Sequence, residues 1–456
     1  MCTIRVNNFS YKYDPKATVA AHCRGPDGHG SLNIGNVKFN HYLLSISKGV
    51  NLQPMVIDGC VVLFNGEIYN NFQNNYSEAE LIVNLYKNNG KQCFDFLNGE
   101  YAVVIYDLEA NKLIFGCDHF ATKPLYYSCE QGRLLISSLR SDMESSHMPK
   151  WSKCTPRKVY CYDCNNNHLE QLTSNKTFST AQLHENYQFW ENAFIEAVFQ
   201  RYHNLKWDIV LPLSAGHDSG ALACCLNLLG IKYHTYSFRA EENIEVLEQR
   251  LKLQKKLNTN TEFKNYFSEN ITPNHANNLR AIIDSKCDKF TYGSSPDPNE
   301  HKISGMDDPG TLGFAAVLNY FKEHHPETRV VASGHGVDDV MSNIQRYTFG
   351  LPNPKVFPEN LDSVFPWENF YAGTNSSYLA MSESIGGAFG FEMRYPYLDL
   401  NVVQGFLSLT PNLKNQHFKA PLTYFMTKHA YPFLKGRPED IKRGFNATAM
   451  SHNGDH

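Results

Sequence analysis

The sequence predicts an α/β protein of two domains, and three observations carry that expectation. The chain has 456 residues, enough for two sizeable cores. Its first half alternates short apolar runs with turn residues, the pattern of antiparallel strands. Its second half holds two apolar runs that each end in a glycine-bearing loop, which suggests an open parallel sheet with its site along one edge.

In the first half, Val61 to Phe64 reads as a strand ended by Asn65-Gly66, and Tyr101 to Tyr106, Lys112 to Gly116 and Leu134 to Ser137 have the same look. Between them Ser77 to Asn88 has helical spacing, with Leu81, Leu85 and Tyr86 sharing an inward face. Residues 162–180 are polar and rich in Asn, Ser and Thr, so they are taken as a linker between domains at 2–161 and 181–456. Ala181 to Tyr202 then reads as a helix. Asp208 to Leu213 reads as a strand that runs into Ser214-Ala215-Gly216-His217-Asp218-Ser219, with a helix beginning near Gly220. Strand, tight loop and helix together point backbone N–H groups at an anion. A second strand, Arg329 to Ala332, ends at Ser333-Gly334-His335-Gly336-Val337-Asp338-Asp339.

Composition narrows the function classes. With 42% hydrophobic and 19% charged residues and a net charge near -4, there is no broad electrostatic case for nucleic acid or a membrane surface. No apolar run of about 18 residues and no basic-then-apolar leader is present, so a cytoplasmic location is expected. Twelve scattered cysteines suit reduced thiols, and none has convincing zinc-site spacing. The asparagine-dense stretches at 70–75 and 165–167 read as surface loops.

Cys2 is the first chemical candidate. Removal of Met1 would expose an α-amine able to take the thiol's proton near neutral pH. The Asn65 side-chain amide and the Gly66 N–H could then form an oxyanion hole for a carboxamide substrate, although Asn65-Gly66 also reads as an ordinary hairpin turn.

The order and spacing of these pieces make the first 140 residues resemble the class II glutamine amidotransferase domain of asparagine synthetases. The matching residues are Cys2, Arg24-Gly25-Pro26-Asp27, Gln53-Pro54, Phe64-Asn65-Gly66-Glu67-Ile68-Tyr69-Asn70, Gly99-Glu100-Tyr101-Ala102, Asp118 and Lys123-Pro124-Leu125-Tyr126-Tyr127. The resemblance implies an αββα sandwich of the Ntn-hydrolase type in which Cys2 attacks glutamine, releasing glutamate and ammonia. It implies a glutamine site at Leu43, Asn65, Gly66, Glu67 and Glu78. Two of these depart from the family. Leu43 stands where an arginine grips the α-carboxylate of glutamine, and a branched apolar side chain cannot make that ion pair. Glu78 replaces the aspartate that holds the α-ammonium. Arg24 is a conceivable source of the missing positive charge.

The second half resembles the ATP-pyrophosphatase domain of the same family. The resemblance implies that Leu213, Ser214, Ala215, Gly216, Asp218, Ser219, Phe238, Ser333 and Gly334 border ATP. Asp218 and Asp338 would hold Mg2+, a role that suits hard carboxylate oxygens. Ala215 replaces a family glycine. His335 stands where many members have a glutamate proposed to accept a proton from the incoming nitrogen, a task histidine can also perform. Lys442, in Lys442-Arg443-Gly444-Phe445, matches a lysine that stabilises developing negative charge. Lys419 lies where another basic residue often stands near the nucleotide. Arg394-Tyr395-Pro396-Tyr397-Leu398-Asp399 resembles a family signature with phenylalanine at the fourth place, and is expected to be architectural. The segment 288–316 could shape the acceptor pocket.

Over the whole chain the resemblance implies ATP-dependent amidation of a carboxylate through an acyl-adenylate, with ammonia reaching it by a tunnel. The ordinary family acceptor is aspartate, and family members are often homodimers. Amidation of another carboxylate, use of free ammonia or a substrate amine, and a non-enzymatic nucleotide sensor are the readings left open.

Overall fold

The computed structural model describes residues 1–46, 52–70, 77–239, 242–259, 261–268, 270–292, 302–303, 308–341 and 356–434. The chain divides into two compact units, the first comprising Met1–Phe178, Ser285–Tyr292 and Ser376–Glu392, the second Ser179–Asp284, Gly293–Asn375 and Met393–His456.

In the first unit, β1 (Thr3–Asn7), β2 (Gly28–Ile34), β3 (Val37–Leu43), β4 (Met55–Ile57), β5 (Cys60–Ile68), β6 (Gly99–Asp107), β7 (Lys112–Cys117), β8 (Tyr126–Glu130), β9 (Arg133–Ser137), β10 (Ser152–Lys153), β11 (Lys158–Asp163) and β12 (His168–Thr173) build two antiparallel sheets. Their orders are β10-β8-β9-β1-β3-β2 and β12-β11-β7-β6-β5-β4. Strand periodicity decides how they stack. On β5, Val61 and Leu63 join Ile4, Val6 and Phe39 of the first sheet in a shared core. Cys60 and Val62 point the other way, onto Ala79, Ile82 and Val83 of α2 (Glu78–Asn89). Across the first sheet, α1 (Pro15–Arg24) packs Ala17, Ala20 and Ala21 against Tyr42 and Leu139, and Met143 of α3 (Arg140–Ser145) packs on Tyr126 and Leu135. The layers are therefore helix, sheet, sheet, helix, the αββα sandwich expected.

Three expectations change. The strand that begins at Cys60 does not stop at Asn65-Gly66 but continues to Ile68, because all nine of its residues pair with β6. The inner face of α2 is Ala79, Ile82 and Val83, while Leu81, Leu85 and Tyr86 flank it half-buried. Residues 162–180, read as a linker, contain the end of β11 and all of β12, which pair in register from Lys158↔Thr173 to Asp163↔His168. The polar residues of β12 are those of a sheet-edge strand.

Two later segments complete this unit. Lys123 Nζ, fully buried, lies 2.9 Å from Glu383 and 3.0 Å from Glu392. The Asp288 carboxylate accepts from the backbone N–H groups of Arg140 (2.7 Å) and Ser141 (3.0 Å) at the start of α3.

The second unit is built on a sheet of β13 (Asp208–Pro212), β14 (His234–Phe238), β15 (Asn265–Ser268), β16 (Thr328–Ala332) and β17 (Glu392–Arg394), in the order β15-β14-β13-β16-β17. β13 pairs in parallel with β14 and β16, and β14 with β15. The chain steps outward from β13 to β15 and returns to β13's other side at β16, so the switch point lies between β13 and β16. The helix predicted from Ala181 begins only at Gln188, as α4 (Gln188–Tyr202). The helix after β13, α5 (His217–Leu228), starts three residues before Gly220, with Gly216 as its N-cap. No disulfide joins any of the twelve cysteines. Among the described residues no helix is long and apolar enough to cross a membrane.

Candidate functional sites

In the first unit, an open cleft is walled by Cys2, Leu43, Ile46, Phe64, Glu67 and Glu78. Cys2 enters it from the start of β1. Its backbone N–H donates to Asn65 Oδ1 at 2.8 Å, and its Sγ accepts from the Leu44 N–H at 3.4 Å. Burial pushes the thiol pKa up to about 11 while Met1 remains attached. The other end of the Asn65 amide, Nδ2, is buried and has no hydrogen-bond partner. An orphaned donor of this kind costs stability unless a ligand takes it up. Gly66 has φ 114°, and a Cβ there would lie 1.8 Å from the Glu100 carbonyl oxygen. Only glycine fits the position, and Asn65-Gly66 lies inside a paired strand rather than at a turn.

The residues expected to bind glutamine divide. Glu67 and Glu78 line the cleft, and one Glu78 oxygen accepts from the Ile68 N–H at 2.8 Å. Leu43, buried, lies on the wall where the resemblance places arginine. Arg24 does not replace it. Its guanidinium donates to the backbone carbonyls of Glu383 (3.1 Å) and Cys2 (3.5 Å), and it is not part of the cleft wall. Gln53, through Oε1, takes the Phe64 N–H at 2.6 Å and so fixes the strand leading to Asn65.

In the second unit, the loops after β13 and β16 lead into helices whose first turns carry Asp218 and Asp338. Both carboxylates reach the same ammonium. Lys419 Nζ is 2.6 Å from Asp218 Oδ1 and 2.6 Å from Asp338 Oδ1. Burial, opposed by Lys419, raises the Asp218 pKa to about 6. Gly334 permits the approach, since a Cβ there would lie 2.9 Å from Asp218 Cβ. In the first loop Ser214 Oγ accepts the Gly216 N–H at 3.1 Å and meets Ser219 Oγ at 3.0 Å. Ala215 is not among the left-handed residues, so the loop needs no glycine there. Leu213, just after β13, and Phe238, the last residue of β14, are both buried, and the Ser333 N–H donates to the Arg394 carbonyl at 3.2 Å. His335 follows in the second loop. Burial lowers its imidazole pKa to about 4 against the pull of Asp338, so it is neutral at pH 7. Lys442, with Arg443, Gly444 and Phe445, lies outside the described residues, as does much of the segment 288–316.

Sequence reasoning missed two supports of this loop. Arg250, buried on the helix Ile244–Leu257, donates to the Ser214 and Gly216 carbonyls (2.8 Å for the latter), holding the loop from behind. Nothing in the linear pattern distinguishes it from a surface arginine. Tyr397, buried, donates its hydroxyl to the Asp218 carbonyl at 2.7 Å. The signal was present: tyrosine stands where the family signature has phenylalanine, and the added hydroxyl has this partner.

Asp218 and Asp338 offer hard oxygens converging on one cation position, a donor set that fits Mg2+. Beside it lies the N-terminus of α5, the end of a helix that attracts negative charge; in the loop before it the Ala215 N–H is taken by Glu242 Oε2 and the Gly216 N–H by Ser214 Oγ.

Residues 1–175 match the glutamine amidotransferase domain family. The amidase chyE of Penicillium rubens is 31% identical over 150 residues, covering 29% of this chain and 22% of its own length. Asparagine synthetase B of Escherichia coli is 34% identical over 131 residues, covering 25% of this chain and 24% of its own length. Both matches span less than a quarter of the relative. A probable glutamine-hydrolysing asparagine synthetase of Acanthamoeba polyphaga mimivirus is 23% identical over 437 residues, 86% of this chain and 74% of that protein.

Proposed function

We propose that this chain, which carries a glutamine amidotransferase domain and is a divergent relative of the glutamine-hydrolysing asparagine synthetases, is an ATP-dependent ligase that amidates a carboxylate. The observation that carries the reading is the convergence of Asp218 and Asp338, from the helices that follow two strand ends, on one cation position beside a helix start that attracts negative charge.

In the first unit, loss of Met1 makes the Cys2 nitrogen a free amine that takes the thiol proton. The thiolate adds to the side-chain amide carbon of the donor, and the oxyanion is received by Asn65 Nδ2 and the Gly66 N–H. The amine returns the proton to the leaving nitrogen, ammonia departs, and water then hydrolyses the thioester.

In the second unit, the acceptor carboxylate attacks the α-phosphorus of ATP and pyrophosphate leaves. The Ser214–Ser219 loop orients the phosphates through its N–H groups. Asp218 and Asp338 would hold Mg2+, which offsets phosphate charge when bound. Ammonia attacks the acyl-adenylate, AMP leaves, and neutral His335 accepts the proton. Lys442 would stabilise the charge of the collapsing adduct. The acceptor most consistent with the relatives is aspartate, giving asparagine.

A second reading has its own observation: Leu43 on the cleft wall favours an amide donor other than free glutamine. The test incubates the protein with Mg2+, ATP, aspartate and amide-15N glutamine, with 15N-ammonium in parallel, and reads products by mass spectrometry. Labelled asparagine with AMP from glutamine supports the full reaction. Product from ammonium alone moves the donor to the second reading, and AMP formation with no carboxylate overturns the ligase.

A further inference from the structure

At the tip of the second unit's sheet, two charged side chains hold positions that the proposed ligands would need. Lys419 Nζ lies 2.6 and 2.8 Å from the two oxygens of Asp218 and 2.6 Å from Asp338 Oδ1. Its side chain is 5% exposed, while Asp218 is 27% and Asp338 45% exposed, so water and salt screen the pair with Asp218 less than the pair with Asp338. The backbone of Lys419 is left-handed, with φ 46° and ψ 55°, directly before the helix Ala420–Lys428. A non-glycine residue held there is strained, and the N–H groups of Leu422 and Thr423, bonded to its carbonyl, keep it in place. The ammonium thus fills the space between the two carboxylates. On the anion side the arrangement is mirrored. The Ala215 N–H, in the loop that would face phosphate, donates to Glu242 Oε2 at 2.7 Å.

We propose that Lys419 is a built-in placeholder for the divalent cation and Glu242 one for a nucleotide phosphate, so that metal and nucleotide enter only together. This rests on the nucleotide reading of the site. An ammonium and a dication cannot share one space between two carboxylates, so metal alone must expel Lys419 with nothing to receive its charge. A phosphate alone must expel a carboxylate from the Ala215 N–H. The metal–nucleotide pair solves both: the phosphates take the displaced ammonium, whose flexible stem lets it move, and the dication offsets the charge that Glu242 leaves behind.

The test uses Mn2+ as the probe, followed by its electron paramagnetic resonance, on the full chain with thermal unfolding as the check of folding. Wild type is expected to bind Mn2+ with ATP and not without it. Lys419→Met is expected to bind Mn2+ without nucleotide about tenfold or more tightly than wild type, because one repelling charge is gone. Lys419→Arg keeps the charge and should behave as wild type. Glu242→Gln should bind inorganic pyrophosphate without metal more tightly by a similar factor. Wild type binding Mn2+ alone as well as Lys419→Met does would overturn the proposal. A gain in Lys419→Met with no ATP-dependent uptake in wild type keeps the placeholder and rejects the nucleotide reading instead.

Discussion

Replacing Leu43 with arginine should raise the use of free glutamine, and the structure sets the size of the effect. Leu43 lies near the end of β3 on the wall that also holds Cys2, and the described residues of that wall include two carboxylates, Glu67 and Glu78, and no cation. Free glutamine brings an α-carboxylate into this set without a partner. A charge-assisted hydrogen bond is worth about 1.5–3 kcal/mol, or roughly 10- to 150-fold in affinity. Leu43 is 9% exposed, so a guanidinium there loses hydration and the lower end is expected, about tenfold. The assay is glutamate release from glutamine with kcat and KM separated, beside glutaminamide, which lacks the carboxylate. KM for glutamine should fall about tenfold, with little change for glutaminamide. A folded variant with unchanged KM for glutamine, or equal gains on both substrates, would refute the role of this position.

Three further outcomes follow from other parts of the fold. Asn65→Ala removes the orphaned buried donor beside Cys2, and should lower the kcat of glutamine hydrolysis by about 10²–10³ with a smaller change in KM; steady-state kinetics check it. Lys123→Met leaves Glu383 buried without its ammonium and Glu392 with only the Met1 amine, 3.0 Å away, at a cost of about 3–5 kcal/mol; a melting temperature equal to wild type would contradict the role of the buried lysine. His41 is fully buried, and burial, opposed by its bond to the Phe64 carbonyl, lowers its pKa from 6.5 to about 4. Below 6.5 the unfolded chain takes a proton that folded His41 refuses, so stability present above that pH is lost as pH falls towards 4, by up to about 1.4 kcal/mol per pH unit. Denaturant midpoints of wild type and His41→Gln across that window read the difference, and parallel pH slopes would exclude His41.

What the sequence made legible was local. Alternating apolar residues marked the strands, and Ser214–Ser219 and Ser333–Asp339 marked the ends of β13 and β16, because a tight loop between strand and helix has its own residue chemistry. The Asn65-Gly66 pair was ambiguous for the opposite reason. The same residues serve a hairpin turn or a close approach inside a strand, and only the pairing of β5 with β6 through Ile68 decides. Contacts between residues distant in the chain stayed hidden. Lys123 reads as one lysine in a motif until Glu383 and Glu392 close on it, and Arg250 is an arginine on an amphipathic helix until it reaches the Ser214 and Gly216 carbonyls. The edge strand β12 was missed because a strand with one side to water need not be apolar.

On the proposed reading, the departures from the resembled pattern fall at positions assigned to substrate, and this distribution carries a last prediction. Cys2, Asn65 and Gly66, and the pair Asp218 and Asp338, keep the residues to which that reading gives the bond-making steps. Leu43 and His335 do not retain the family's charges. At pH 7 His335 is neutral, with burial lowering its pKa to about 4, where a glutamate would carry a full negative charge. The acceptor side is then one charge less negative than in the relatives with glutamate, which lowers the repulsion felt by an acceptor bearing extra negative charge. With two like charges about 5 Å apart at an effective dielectric near 20, that repulsion is about 3 kcal/mol, roughly a hundredfold in binding. Screening a set of carboxylates for ATP-dependent pyrophosphate release should therefore find that His335→Glu weakens doubly charged acceptors more than singly charged ones, relative to wild type. Equal losses on both classes in His335→Glu would place the selectivity elsewhere.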